Sequence, residues 1–214
     1  MISMADICPT VTAADARTYR VQIEQVLDFA PRLHIDLADG ILAPNKLLSA
    51  KHIWWPTGVR ADLHVIYQRP FLHIVELLNL DPSLIIVHAE AEGDFMAFAE
   101  KAHAHNVAVG IALLPHTPVE AIAPALELID HVLIFSGKIG YFGGHADLKL
   151  LQKVEQLKKL KPGLEVGWDG GVNDKNAAAL VAGGVDVLDA GGFIHGAADP
   201  ASAYNQLKEL VGGV

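Results

Sequence analysis

Eight short apolar runs alternate with stretches of helical spacing along the whole of this 214-residue chain. The runs are MADIC (4–8), RLHIDL (32–37), VRADLHVI (59–66), SLIIVHA (83–89), VAVGIAL (107–113), HVLIFS (131–136), LEVGWD (164–169) and VDVLDA (185–190). Helical spacing marks 13–30, 95–106, 146–160 and 173–184, and PASAYNQLKELV (200–211) closes the chain as a helix. Strands separated by helices of this size build βαβ units and a parallel sheet. Eight such units in this length predict an α/β fold, a closed (β/α)₈ TIM barrel, with residues 1–214 forming one domain. An open doubly wound sheet is the rival architecture. No linker-like or low-complexity stretch interrupts the alternation.

Composition narrows the partners. Hydrophobic residues make up 51% of the chain, ample material for a core, and the net charge is −9. That charge argues against nucleic acid, whose phosphates are held by surplus Lys and Arg. No uninterrupted apolar run reaches the length of a membrane span, so no membrane partner is expected. The N-terminal MISMADICPTV lacks the pattern of a secretory signal. The lone cysteine, Cys8, has no intrachain disulfide partner. A cytoplasmic setting is therefore expected. A homo-oligomer is also expected, although the composition does not locate its interface.

The polar residues of the apolar runs fall near strand ends, where a barrel of this kind builds its active face. In a strand, residues two apart share a face. His34 and Asp36 are such a pair at the end of the second run, and Asp62, His64 and Ile66 share a face of the third. Asp169 ends the seventh, followed by Gly170 and Gly171. A buried charge is costly unless paired or bound to a metal. His34, Asp36, His64 and Asp169 can converge on one divalent ion, with a nitrogen and oxygen donor set suited to Zn, Fe, Mn or Co. Each of these residues taken singly is also at home in a structural role, as a capping Asp or a His bonded to a carbonyl.

Three later loops are rich in glycine: GYFGGH (140–145), DGGV (169–172) and AGG (190–192). They either make tight strand-to-helix turns or let backbone N–H groups approach a phosphate. The segment 137–145 reads equally as a mobile lid and as a rigid phosphate loop. His88 and Glu90, at the end of the fourth run, are candidates for orienting a ligand histidine. Trp168 is expected to point into the helix layer.

Taken together, these blocks resemble the ribulose-phosphate 3-epimerase family nearly end to end. HIDLADGILAPN is similar to that family's H-x-D-x-M-D-G-x-x-V-P-N, DLHVIYQRP to D-x-H-L-M-x-x-x-P, and VHAEAE to H-x-E-A. VGIALLPHTPVE, FSGKIGYFGGH, GWDGGV and DAGGFIHGAADPASAYNQL are similar to its later blocks, in the same order. The resemblance implies a TIM barrel of the ribulose-phosphate binding type and an isomerase. It implies a reaction that epimerises C3 between D-ribulose 5-phosphate and D-xylulose 5-phosphate through an enediolate. It implies one divalent metal ion on His34, Asp36, His64 and Asp169, with Asp36 and Asp169 as the acid/base pair. It implies a phosphorylated ketose as partner, with substrate contacts at Thr10, His64, Gly143, Gly144, Gly171, Gly191 and Gly192. The chain departs from the pattern around the substrate. Family methionines fall on Ala38, Ile66 and Phe135, a loop proline on Ile139, a glutamine on His145 and a serine on Gly192. Those departures keep two alternatives in view: a six-carbon ketose phosphate such as D-allulose 6-phosphate, and a noncatalytic sugar-phosphate binding barrel.

Overall fold

A computed structural model describes residues 5–137, 139 and 144–212. Eight strands pair side by side in chain order and close, β1 against β8, into a barrel. They are β1 (Asp6–Val11), β2 (Arg32–Ala38), β3 (Arg60–Ile66), β4 (Leu84–His88), β5 (Ala108–Leu113), β6 (His131–Phe135), β7 (Glu165–Asp169) and β8 (Val187–Ala190). All eight pairings are parallel. The open-sheet rival is thereby excluded. One expected strand moves: β1 was expected at 4–8 and runs through Pro9 to Val11, with Pro9 in register with Ala190. That shift brings Thr10 level with His34.

The helices are α1 (Ala16–Val26), α2 (Ile74–Leu78), α3 (Phe95–His103), α4 (Leu151–Leu160), α5 (Ala177–Ala182), α6 (Gly192–His195) and α7 (Pro200–Gly212). Asp15 starts α1 by accepting from the N–H groups of Arg17 and Thr18, and Asp94 starts α3 by accepting from Ala97 N–H. Such side-chain acceptors satisfy donors that a helix end leaves unpaired. After β5 the connection is a 3₁₀ segment, Val119–Leu128, interrupted by Pro124. Proline removes an N–H and blocks a regular α-helix there. Among the described residues, no helix is long and apolar enough to cross a membrane.

Every residue of β2 is buried, as parallel strands covered on both faces require. Its outward side chains, Leu33, Ile35 and Leu37, join the apolar layer beneath the helices. Trp168 joins the same layer with Val154, Leu157 and Leu180, as expected. The inward side chains divide by height. Leu84, Ile86, Ala112 and Leu133 fill part of the interior. At the N-terminal end Arg32 Nε donates to Asp62 at 2.6 Å, and its Nη2 donates to Glu165 at 2.8 Å. Asp6 and His131 complete that network. At the C-terminal end the inward residues are the functional candidates.

Candidate metal centre and substrate cavity

His34 and Asp36 point inward from β2 because they sit two apart on one face. The register sets Asp36 opposite His64 on β3, and Asp169 of β7 stands beside Phe135 of β6. Closure of the barrel brings the four expected ligands together. One donor atom each from His34, Asp36, His64 and Asp169 lies within 4.8 Å of the others. Asp36 Oδ1 is 3.2 Å from His34 Nε2 and 2.9 Å from His64 Nδ1. Asp36 Oδ2 accepts a hydrogen bond from the Thr12 hydroxyl at 2.6 Å.

A second row of side chains stands behind the cluster and biases the tautomers of its histidines. His64 Nε2 lies 2.9 Å from His88 Nε2, and His88 Nδ1 lies 3.4 Å from Glu90. The Thr117 hydroxyl donates to the same Glu90. Neither His88 Nδ1 nor the Glu90 oxygen facing it has a hydrogen-bond partner among the described residues, but that oxygen, 3.4 Å away, favours Nδ1 as the protonated nitrogen of His88. If His88 Nδ1–H faces Glu90 and His64 Nε2–H faces His88, then His64 Nδ1 turns a lone pair toward Asp36. His34 repeats the pattern, with Asp189 3.3 Å from Nδ1 and Asp36 at Nε2. With both imidazoles turning lone pairs toward Asp36 Oδ1, a metal ion beside that oxygen would satisfy both at once. Carboxylates that hold the far nitrogen of a ligand histidine fix its tautomer in this way. The four side chains thus form a cluster that can bind a divalent metal ion.

The two candidate acid/base carboxylates are driven apart. Burial alone would raise Asp36, but hydrogen bonds with His34 and His64 hold it well below the usual carboxylate range. Burial, then the Asp36 charge, pushes Asp169 up to about 8. Burial lowers His64 to about 4. For His34, burial is outweighed by Asp189, which raises it well above an ordinary imidazole.

Asp36 and Asp169 face a cavity of about 430 Å³ that also meets Thr10, Gly144, Gly171, Gly191 and Gly192. His34 and His64 are completely buried and do not line it. Gly143, and with it most of the expected lid, lies outside the described residues. Gly171 has φ +72°, and a Cβ there would approach Ala146 N to 2.5 Å, so glycine is required on both counts. Gly192, by contrast, has open space where a Cβ would stand and begins α6. Ala38, Ile66 and Phe135 line the cavity on the side of β2, β3 and β6. Asp39 fixes the loop after β2 by accepting from Ile41, Leu42 and Gln68 N–H groups.

Four residues at the site escaped the sequence reading. Asp189 was legible, since the alternation of VDVLDA places it on the inner face with Val187. Thr12, Gln22 and His195 were not, because they come from a loop and two helices whose inward turn no strand period announces. His195 Nε2 donates to Thr10 O at 3.0 Å, tying α6 to β1.

The sequence model of the ribulose-phosphate 3-epimerase family matches residues 6–195. A ribulose-phosphate 3-epimerase of Helicobacter pylori is 31% identical over 212 residues, covering 95% of this chain and 97% of its own. One from Schizosaccharomyces pombe is 29% identical, covering 97% and 94%. Among solved structures, a 3-hexulose-6-phosphate synthase superposes with a TM-score of 0.70 at 19% identity, over 96% of this chain and 99% of its own. That last likeness concerns the fold alone.

Proposed function

The chain belongs to the ribulose-phosphate 3-epimerase family, and from that premise we propose that it is a metal-dependent epimerase interconverting D-ribulose 5-phosphate and D-xylulose 5-phosphate. The observation that carries this reading is the placement of Asp36 and Asp169 on one cavity, within the same group of four metal-capable side chains. Inverting a carbon next to a ketone requires a proton to leave one face and another to arrive on the opposite face. Two carboxylates from nonadjacent strands suit that task. Asp36 takes the C3 proton in one direction and Asp169 returns one from the other side. In the reverse direction the roles exchange.

The enediolate between these steps carries negative charge on neighbouring oxygens. His34, Asp36, His64 and Asp169 would hold a divalent ion, which when bound would supply the compensating positive charge. His34 and His64 would act as neutral ligands, each faced from behind by a carboxylate, buried Asp189 directly and half-buried Glu90 through His88. Thr10 offers a buried hydroxyl without a hydrogen-bond partner among the described residues. Gly144, Gly171, Gly191 and Gly192 hold the phosphate end through backbone N–H groups. A binding protein has no use for two carboxylates in a metal cluster, which disfavours the noncatalytic alternative.

A second substrate is favoured by one observation. Ala38 and Ile66 form a small apolar cluster with Ala43 and Leu47 at the cavity, where the family pattern has longer methionines. The space this leaves suits a six-carbon ketose phosphate such as D-allulose 6-phosphate. The test is epimerisation of both sugars by protein as purified, after chelation and after reloading with Zn, Fe, Mn or Co. Turnover lost on chelation and restored by reloading is expected, and turnover of neither sugar by the loaded protein refutes the proposal.

A further inference from the structure

Thr12 follows β1 and is held from two directions. Its N–H donates to Gln22 Oε1 of α1 at 2.8 Å. Its hydroxyl donates to Asp36 Oδ2 at 2.6 Å, and both Thr12 and Gln22 line the cavity. The other oxygen, Oδ1, is the one that faces His34 and His64. The terminal torsion of an aspartate is broad and roughly two-fold, so nothing intrinsic distinguishes its oxygens. A threonine is stiff at χ1, and this one has its backbone anchored as well. It can therefore impose the distinction. Thr10, two residues earlier and within β1, does not do so, because its hydroxyl has no hydrogen-bond partner among the described residues.

We propose that Thr12 is a positioning residue that divides the two oxygens of Asp36, committing Oδ1 to the metal ion and leaving Oδ2 to serve the proton transfer. The assignment rests on the epimerase reading for the duty of Oδ2, and on the metal cluster alone for the duty of Oδ1. A hydroxyl both donates and accepts, so Thr12 stays bonded to Oδ2 whether or not that oxygen carries the proton. Gln22 is the strut behind it: removing its side-chain oxygen frees the Thr12 backbone.

The test compares Thr12→Val, which keeps the branched shape without the hydroxyl, with Thr12→Ser, which keeps the hydroxyl. Zinc affinity is measured on the metal-free proteins by competition with a chromophoric chelator, beside kcat, KM and Tm. Thr12→Val should weaken zinc binding and lower kcat, each by about 10–100-fold, the loss for a hydrogen bond to a charged group. KM should stay near wild type, Tm should fall by no more than a few degrees, and Thr12→Ser should recover most of these losses. A purely structural role would move Tm and leave zinc affinity unchanged in the folded protein. Wild-type zinc affinity in Thr12→Val, or a serine variant as impaired as the valine one, overturns the proposal. If the wild-type protein epimerises no ketose phosphate, the epimerase reading fails by itself. The zinc comparison then still decides whether Thr12 sets Oδ1.

Discussion

Glu90 touches neither the cavity nor Asp36, yet its position 3.4 Å from His88 Nδ1 lets it bias the tautomer that metal binding needs. Replacing it with alanine removes the acceptor facing His88 Nδ1, an imidazole that is only 2% exposed. The row can then reverse: His88 donates from Nε2 to His64, and His64 donates from Nδ1 to Asp36. That arrangement satisfies Asp36 Oδ1 with a proton and takes away the lone pair a metal ion would use. The alternative, keeping the original polarity, leaves that buried N–H facing no acceptor at all, at a cost of up to about 1–3 kcal/mol. Either outcome weakens the metal site by a similar amount, since about 1.4–2.7 kcal/mol corresponds to 10–100-fold in affinity. Glu90→Gln retains an oxygen that can accept from His88 and should bind within about threefold of wild type, well inside one tenfold step of 1.4 kcal/mol. Zinc competition on the three metal-free proteins is the assay. Wild-type affinity in Glu90→Ala refutes the tautomer argument, and so does a glutamine variant as weak as the alanine one.

Asp36→Asn and Asp169→Asn should each lower turnover by about 10²–10⁴-fold, measured with ribulose 5-phosphate in metal-loaded protein. Arg32→Met leaves buried Asp62 without its partner and should cost about 3–5 kcal/mol, read as a lower midpoint in urea unfolding. Glu165 gives a pH-dependent signature. Burial opposes its ionisation, but hydrogen bonds from His131 and Arg32 prevail and hold it well below its ordinary 4.5. A depressed carboxylate stabilises the fold fully above its unfolded pKa and loses that contribution as pH falls toward the folded one. Tm of the wild type should therefore fall on acidification from pH 5 downward, and Glu165→Gln should flatten that fall.

The barrel was legible because each strand announces itself by an apolar run bounded by turn residues, and eight in succession leave few ways to close. Boundaries were weaker. Pro9 reads as a strand stop, yet β1 continues through it, and the 3₁₀ connection after β5 has no clean helical period because Pro118 and Pro124 break it. The four clustered residues were readable from two-residue spacing and strand ends. Height inside the barrel was not. Asp62 shares a face with His64, but two residues of strand rise set it about 6.6 Å deeper, where it meets Arg32 instead of the cavity. The rows behind the ligands were partly visible, since His88 and Glu90 stand at a strand end. Their order from Asp36 to Thr117 depends on ring orientations that no sequence period encodes.

Solvent exchange at C3 reads out proton transfer by the two carboxylates itself. Ribulose 5-phosphate is incubated with metal-loaded protein in D₂O, and the C3 proton signal is followed by NMR. Deuterium at C3, carried into xylulose 5-phosphate, is expected in wild type, and its near absence in Asp36→Asn and Asp169→Asn. Xylulose 5-phosphate formed with its C3 proton wholly retained, or exchange undiminished in both asparagine variants, would contradict that transfer.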